Sequence, residues 1–391
     1  MTAPIVPEFK KLEVAFLFSR FGEEFLKKHP QPYENYSSIN LIQSCRTAKL
    51  GGHIQRCDRC EYSKPVYNSC RSRQCPKCQS LKRERWVEAR KKEILPCKYF
   101  HGVFTLPHSL NPIALWNKKL VYAVLFDAVS DTLQTFAAQE LGGKLGYISV
   151  LHTWNQKVLD HIHLHCLIPA GAVCQETGKW IPCRHSEFLF SVLAMSPVFR
   201  ANFLEKLRSR QSELKLPPSL GYLRNPSTFQ DFLDSLWREA WVIYTKPAFR
   251  GPDQIIEYLG RYVHRIAISN SRLASLEGDR ILFKYRDRKD GNQEKLEKLP
   301  VVEFLRRFML HALPKGFQRI RYHGFLASRS KNTNITRIYE SLELRRIQTE
   351  VCKITARDFI LKQFGTDITR CPSCDHGTLR DSRPIPKARS P

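Results

Sequence analysis

No stretch of the chain approaches the ~20 consecutive apolar residues of a membrane-spanning helix, and the first residues carry Pro4, Pro7, Glu8 and Glu13 where a secretory leader needs unbroken apolar sequence. The chain is therefore expected to be soluble and cytoplasmic. It has no phosphate-cradling loop of the GxxxxGKS/T type, which excludes a nucleotide site of that kind, and no internal repeat, which excludes a repeat architecture. Acidic residues are scarce: 37 Asp and Glu stand against 63 Lys and Arg, a formal net charge of +26. Solubility alone needs far less, and the basic residues are interleaved with aromatic ones, so the expected partner is nucleic acid.

What is present falls into three stretches of different texture. Residues 1–96 are expected to form a helical, zinc-binding, DNA-binding domain, residues 97–330 the domain that carries the chemistry, with a helical insertion at about 175–250, and residues 331–391 a helical segment ending in a basic tail with a CxxC. Phe16, Phe18, Phe21 and Phe25 supply the apolar positions of an entry helix before Pro30 and Pro32. Cysteines crowd between Cys45 and Cys78, and Leu81–Leu95 reads as a strongly basic helix. From Tyr99 onward strand-like and helical segments alternate, which predicts the α+β class: strands at 99–106, 147–154, 161–168, 281–285 and 317–326, helices at 110–139, 251–268 and 300–313. The Pro- and Arg-containing end is expected to be disordered.

Thirteen cysteines in a reducing compartment point to metal before disulfides. Cys57-x2-Cys60 and Cys75-x2-Cys78, fourteen residues apart, have the paired-thiolate spacing that presents four sulfurs to one structural Zn²⁺. Cys45, His53 and Cys70 are additional candidate ligands, for a second site or in exchange with the first. Such a module would hold Arg71, Arg73, Lys77 and the basic helix against DNA.

In Asp160-His-Ile-His-Leu-His-Cys-Leu-Ile168 the period-two geometry of a strand puts His161, His163 and His165 on one face and Ile162, Leu164 and Cys166 on the other. His163 and His165 are the expected ligands of a catalytic divalent ion, with His152 and His161 as candidate third ligands. Tyr258 and Tyr262, four residues apart, lie on one helix face near Arg261 and Arg265. A phenolate is a competent nucleophile once a metal and arginines stabilise charge at a phosphate, so this pair is the candidate catalytic couple. Between Pro314 and Lys331 there is no acidic residue, while Lys315, Arg319 and Arg321 accompany Phe317, Tyr322 and Phe325, a composition suited to phosphate contact with base stacking.

These pieces in this order resemble the two-tyrosine, His-hydrophobic-His (HUH) rolling-circle transposases of the insertion sequence 91 type. The resemblance runs through Cys45 to Gly52 and His53, the two CxxC pairs, Asn68 to Arg71, Phe104 to His108, His152-Thr-Trp154, His161 to Cys166, Tyr258 to Asn270, and Leu313 to Gly316 with Arg319 and Arg321. It implies an HUH-endonuclease-like antiparallel sheet with the histidine strand central and the tyrosine helix against it. It implies that His163 and His165 hold Mg²⁺ or Mn²⁺, and that Tyr258 and Tyr262 form 5′-phosphotyrosine links to single-stranded DNA at the element's ends and at its target. Two positions depart from the family pattern: Gln74, where a histidine is expected, and Ile162, where the family usually has proline. A replication initiator or relaxase would share this chemistry, and a non-catalytic zinc-dependent DNA-binding regulator would share only the composition.

Overall fold

The computed structural model describes residues 12–185, 187–247, 252–263, 267–346, 354–374 and 376–388; in the helix Pro252–Val263 the side chains of Pro252, Ile255, Arg261 and Tyr262 are outside that description. The fold is α+β, built on a five-stranded sheet in the order Ile320–His323, Tyr147–Trp154, Asp160–Pro169, Tyr99–Thr105, Ile243–Pro247. Every neighbouring pair is antiparallel. The histidine strand is the middle one, which is why almost all of it is buried on both sides.

The two faces of this sheet meet different layers, and the alternation along the strand decides which side chain goes where. Ile162, Leu164, Cys166 and Ile168 join Phe100 and Phe104 in a core closed by the helices Lys118–Phe136 and Val192–Arg208. On the opposite face Ile148, Val150 and Leu167 pack with Ile256, Leu259 and Val263 of the helix Pro252–Val263. The basic helix Ser80–Lys91 lies outside that helix and contributes Trp86 and Val87 to the same cluster. A Cβ on Gly260 would lie 2.5 Å from Val87 Cγ2, so glycine is what permits the two helices to approach this closely.

Besides the two-stranded pair Gly171–Val173 with Trp180–Pro182, two three-stranded sheets accompany the central one among the described residues. Leu273–Glu277, Arg280–Asp287 and Gln293–Pro300 form an antiparallel meander, whose first turn has Gly278 at φ +62, as a two-residue hairpin loop requires. Ile281 and Phe283 from the meander, Phe304 and Phe308 from the helix Val301–Leu310, and Leu17, Phe18 and Phe25 from the helix Val14–Lys28 make one core. The third sheet has Gly52–Cys57 at its centre, between Ser63–Tyr67 and Leu379–Ile385.

Three segments differ from the sequence expectation. The helical insertion at 175–250 contains the helices Val192–Arg208 and Pro226–Arg238, but also Ile243–Pro247, an edge strand of the main sheet, where a terminal proline is tolerated. The segment read as a strand at 317–326 is extended only at Ile320–His323 before a 3₁₀ turn. The tail expected to be disordered instead pairs as Leu379–Ile385 with Gly52–Cys57. Among the described residues no helix is long and apolar enough to cross a membrane.

Candidate active site and metal centres

Pairing register places His152 of Tyr147–Trp154 directly across from His163. His152 Nδ1 lies 3.0 Å from His163 Nε2, which lies 3.1 Å from His165 Nε2. Nitrogens in cis positions of an octahedral ion with bonds of ~2.1 Å are about 3.0 Å apart, so the three rings fit three ligand positions of such an ion. Of the two candidate third ligands, the structure brings His152 into the group and leaves out His161, whose ring stacks on His108 at 5.9 Å.

The tautomers are set by the surrounding partners. His163 Nδ1 is 2.8 Å from the carbonyl of His161, and donating its proton there leaves the Nε2 lone pair toward the group. His165 Nδ1 is 3.0 Å from His101 Nε2, which orients His165 in the same way. Burial pushes His163 down to about 3, His101 to about 4, and His152 and His165 well below the usual imidazole value, so all four rings are neutral near neutral pH. Neutral imidazole is the form that binds metal.

His101 was not among the residues expected from sequence. It sits in Tyr99–Thr105, between the core-facing Phe100 and the glycine Gly102, and its alternation with Phe100 and Phe104 puts it on the sheet face that carries His163 and His165. A histidine out of phase with two phenylalanines of a strand was the available signal. Tyr258 closes this face: its ring stands edge-on to His101 at 5.4 Å and to His165 at 6.0 Å. Its helix packs on the strands Tyr147–Trp154 and Asp160–Pro169. The side chains of Tyr262 and Arg261, and all of Arg265, lie outside the described residues. Arg319 lies near His152, its guanidinium 5.4 Å from the Trp154 ring; burial pushes it down to about 10, so it remains a cation at neutral pH.

The expected cluster of Cys57, Cys60, Cys75 and Cys78 does not form. Cys75 and Cys78 gather with Cys45 and Cys70, while Cys57 and Cys60 gather with Cys371 and Cys374. The reason is the hairpin between the pairs: Gly52–Cys57 and Ser63–Tyr67 carry the first CxxC to one end of a small sheet, and the chain then turns away before the second. In the first group Cys45 Sγ is 3.3 Å and Cys70 Sγ 3.5 Å from Cys78 Sγ, near the ~3.8 Å edge of a tetrahedron with 2.3 Å zinc–sulfur bonds. Cys45 and Cys70, expected only as additional ligands, are full members. His53 joins neither group and lies 3.2 Å from Asp381. Gln74 is buried and accepts from Ser72 at 3.0 Å, and four thiols complete the group without a ligand at that position.

The basic residues expected at DNA divide as well. Arg73 donates to the carbonyls of Phe317 and Pro314 and Lys77 pairs with Glu13, so both are used in holding the zinc-binding segment to the rest of the fold. Arg321 stacks over Phe126 at 4.1 Å and is 3.5 Å from Asp127. Arg71 and Lys315 are exposed.

Residues 146–334 match a family model described as a putative transposase, and residues 17–106 one described as a transposase zinc-binding domain. A protein named putative transposase y4qJ, from Sinorhizobium fredii, is 40% identical over 375 residues, 94% of this chain and 94% of its own length. The transposase for insertion sequence element IS801 of Pseudomonas savastanoi pv. phaseolicola is 29% identical over 311 residues, 78% of this chain and 74% of its own. No solved structure matches the chain.

Proposed function

The chain belongs to the transposase family of insertion sequence 91, and from that premise we propose that it nicks and rejoins single-stranded DNA through tyrosine–DNA links, mobilising its element by a rolling-circle route. A transposase acts on DNA and cleaves it. The finer reading is carried by one observation, the convergence of His152, His163 and His165 on the sheet face that Tyr258 covers.

His152, His163 and His165 are the residues that would hold Mg²⁺ or Mn²⁺, and such an ion, when bound, supplies a Lewis acid for a non-bridging phosphate oxygen. His101 holds the His165 ring by its hydrogen bond. The Tyr258 hydroxyl gives up its proton as its oxygen attacks phosphorus, the new O–P bond forms as the bond to the 3′-oxygen breaks, and the departing 3′-oxygen takes up a proton, so the transfer is proton-neutral. The phosphodiester energy is retained in a 5′-phosphotyrosine, so rejoining requires no nucleotide. Tyr262, one turn along the same helix, is assigned the second transfer. Arg319 supports the reading as a cation beside His152, and Arg71, Arg261, Arg265 and Lys315 are assigned to DNA contact. Cys45, Cys70, Cys75 and Cys78 are assigned to the structural Zn²⁺ of the zinc-binding domain, whose binding energy contributes to folding.

The test is nicking of a labelled single strand carrying the element's end, in Mn²⁺ or Mg²⁺. His163→Ala with His165→Ala should abolish cleavage and leave binding nearly intact, since phosphate contacts supply most affinity. Undiminished nicking by the double variant would overturn the assignment.

A further inference from the structure

We propose that Cys57, Cys60, Cys371 and Cys374 hold a second zinc ion, a clasp that locks the C-terminal segment of the chain onto the N-terminal module. The inference does not depend on the tyrosine chemistry. Cys57 Sγ is 3.7 Å from Cys374 Sγ, and Cys60 Sγ is 3.7 Å from Cys371 Sγ. The edge of a tetrahedron with ~2.3 Å zinc–sulfur bonds is about 3.8 Å, whereas a disulfide brings sulfurs to about 2.05 Å. All four sulfurs lie within 4.8 Å of one another.

The two halves of the cluster are built alike. The backbone N–H of Arg59 donates to Cys57 Sγ at 3.3 Å, and that of Ser373 to Cys371 Sγ at 3.4 Å, so each CxxC turn directs a main-chain donor at its first sulfur two residues back. Donation of this kind favours the thiolate, the form that ligates metal. The chain also makes room for the cluster: a Cβ on Gly377 would run into Cys57 Sγ and stand 3.1 Å from Cys374 Sγ. Asp58 fastens the two turns together, accepting from the Thr378 N–H at 2.8 Å and giving its own N–H to the Thr378 carbonyl at 3.1 Å.

Cys60 and Cys371 are 311 positions apart, so the contact closes a loop of most of the chain, and such closure carries an entropic cost that a few strand hydrogen bonds offset poorly. Four thiolates around one ion supply what that closure lacks. The closure has structural consequences: Leu379–Ile385 covers the edge of Gly52–Cys57, and the helix Ala356–Phe364 is held on the basic helix through Lys362 and Glu84 at 2.9 Å. The basic helix is in turn the one that packs on Gly260 of the tyrosine helix. An all-sulfur tetrahedral set suits zinc, with iron the chemical competitor.

The experiment is metal analysis and native mass spectrometry of the purified full chain, alone and with Cys371→Ser and Cys374→Ser together. Two zinc ions per chain are expected, falling to one in the double variant. One zinc in the unaltered chain, two retained in the variant, or iron in place of the second zinc would overturn the clasp. Should the variant fail to fold, alkylation of the unaltered chain decides. Cys371 and Cys374 should be protected together with Cys57 and Cys60 and become reactive with them when a chelator strips the metal. Modification of Cys371 and Cys374 at the same rate before and after chelation would refute it.

Discussion

Replacing Gly260 with alanine tests how the tyrosine helix is positioned. In an unconstrained helix interior the change is favourable by about 1 kcal/mol, because glycine is the poorer helix former. Here the new methyl would stand 2.5 Å from Val87 Cγ2, against the 3.5–4.0 Å of an ordinary carbon–carbon contact. Val87 is only 4% exposed and has no open side to turn toward. The helices must separate by roughly 1 Å, and overpacking of this kind costs about 1–3 kcal/mol, so the net expectation runs from neutral to about 2 kcal/mol destabilising. Val87→Ala removes the obstructing methyl, at a cost of its own of at least ~1.6 kcal/mol for two buried carbons. In that background Gly260→Ala should become stabilising by up to about 1 kcal/mol. Urea unfolding of the four proteins reads this directly as a shift of Gly260→Ala toward stabilisation across the double-mutant cycle. The same stabilisation from Gly260→Ala in both backgrounds would refute the close approach of the two helices. Nicking should follow the geometry, since a 1 Å misplacement of a reacting group can cost about 10²-fold in rate.

His101→Ala should leave the ligand trio intact but free the His165 ring, weakening Mn²⁺ binding by about 10- to 100-fold; calorimetry showing unchanged affinity would remove His101 from a positioning role. His152→Ala should weaken Mn²⁺ binding more than His161→Ala does, and the reverse order would exchange the third ligand. His311 is 1% exposed, and burial pushes it down to about 3. The unfolded chain takes a proton at this residue near pH 6.5 and the native one does not, so the contribution is fully present above that pH and is lost as pH falls, by about 1.4 kcal/mol per unit down to the native value. Between pH 7 and 5 the unaltered protein should therefore lose about 2 kcal/mol more than His311→Gln; parallel urea midpoints would contradict this.

The parts that were legible in the sequence are those governed by short-range periodicity. Alternation along 160–169 put His161, His163 and His165 on one face because a strand's side-chain period is a local property. What depended on distant pairing was not legible. Whether His152 or His161 joins His163 is decided by the register of two strands, and nothing in either segment encodes that register alone. His101 needed the neighbouring strand to give it a partner. The cysteines illustrate the same limit: two CxxC pairs fourteen residues apart suggested one site, but each pair has a partner elsewhere, and for Cys57 and Cys60 that partner is more than 300 residues away. Leu379–Ile385 has no alternating apolar pattern; it is a strand because Gly52–Cys57 offers it an open edge. Arg73 and Lys77 read as DNA contacts on charge, yet charge does not distinguish a phosphate from the carbonyls and carboxylate that they meet.

The most direct test of the tyrosine chemistry is to incubate the protein with a labelled single strand carrying the element's own end and Mn²⁺, resolve the products on a denaturing gel, and identify the attached peptide by mass spectrometry. A covalent adduct is predicted on Tyr258 or Tyr262, retained in at least one single Phe variant and absent when both Tyr258→Phe and Tyr262→Phe are present. An adduct that persists in the double variant, or that maps to another residue such as Tyr285, would contradict the account.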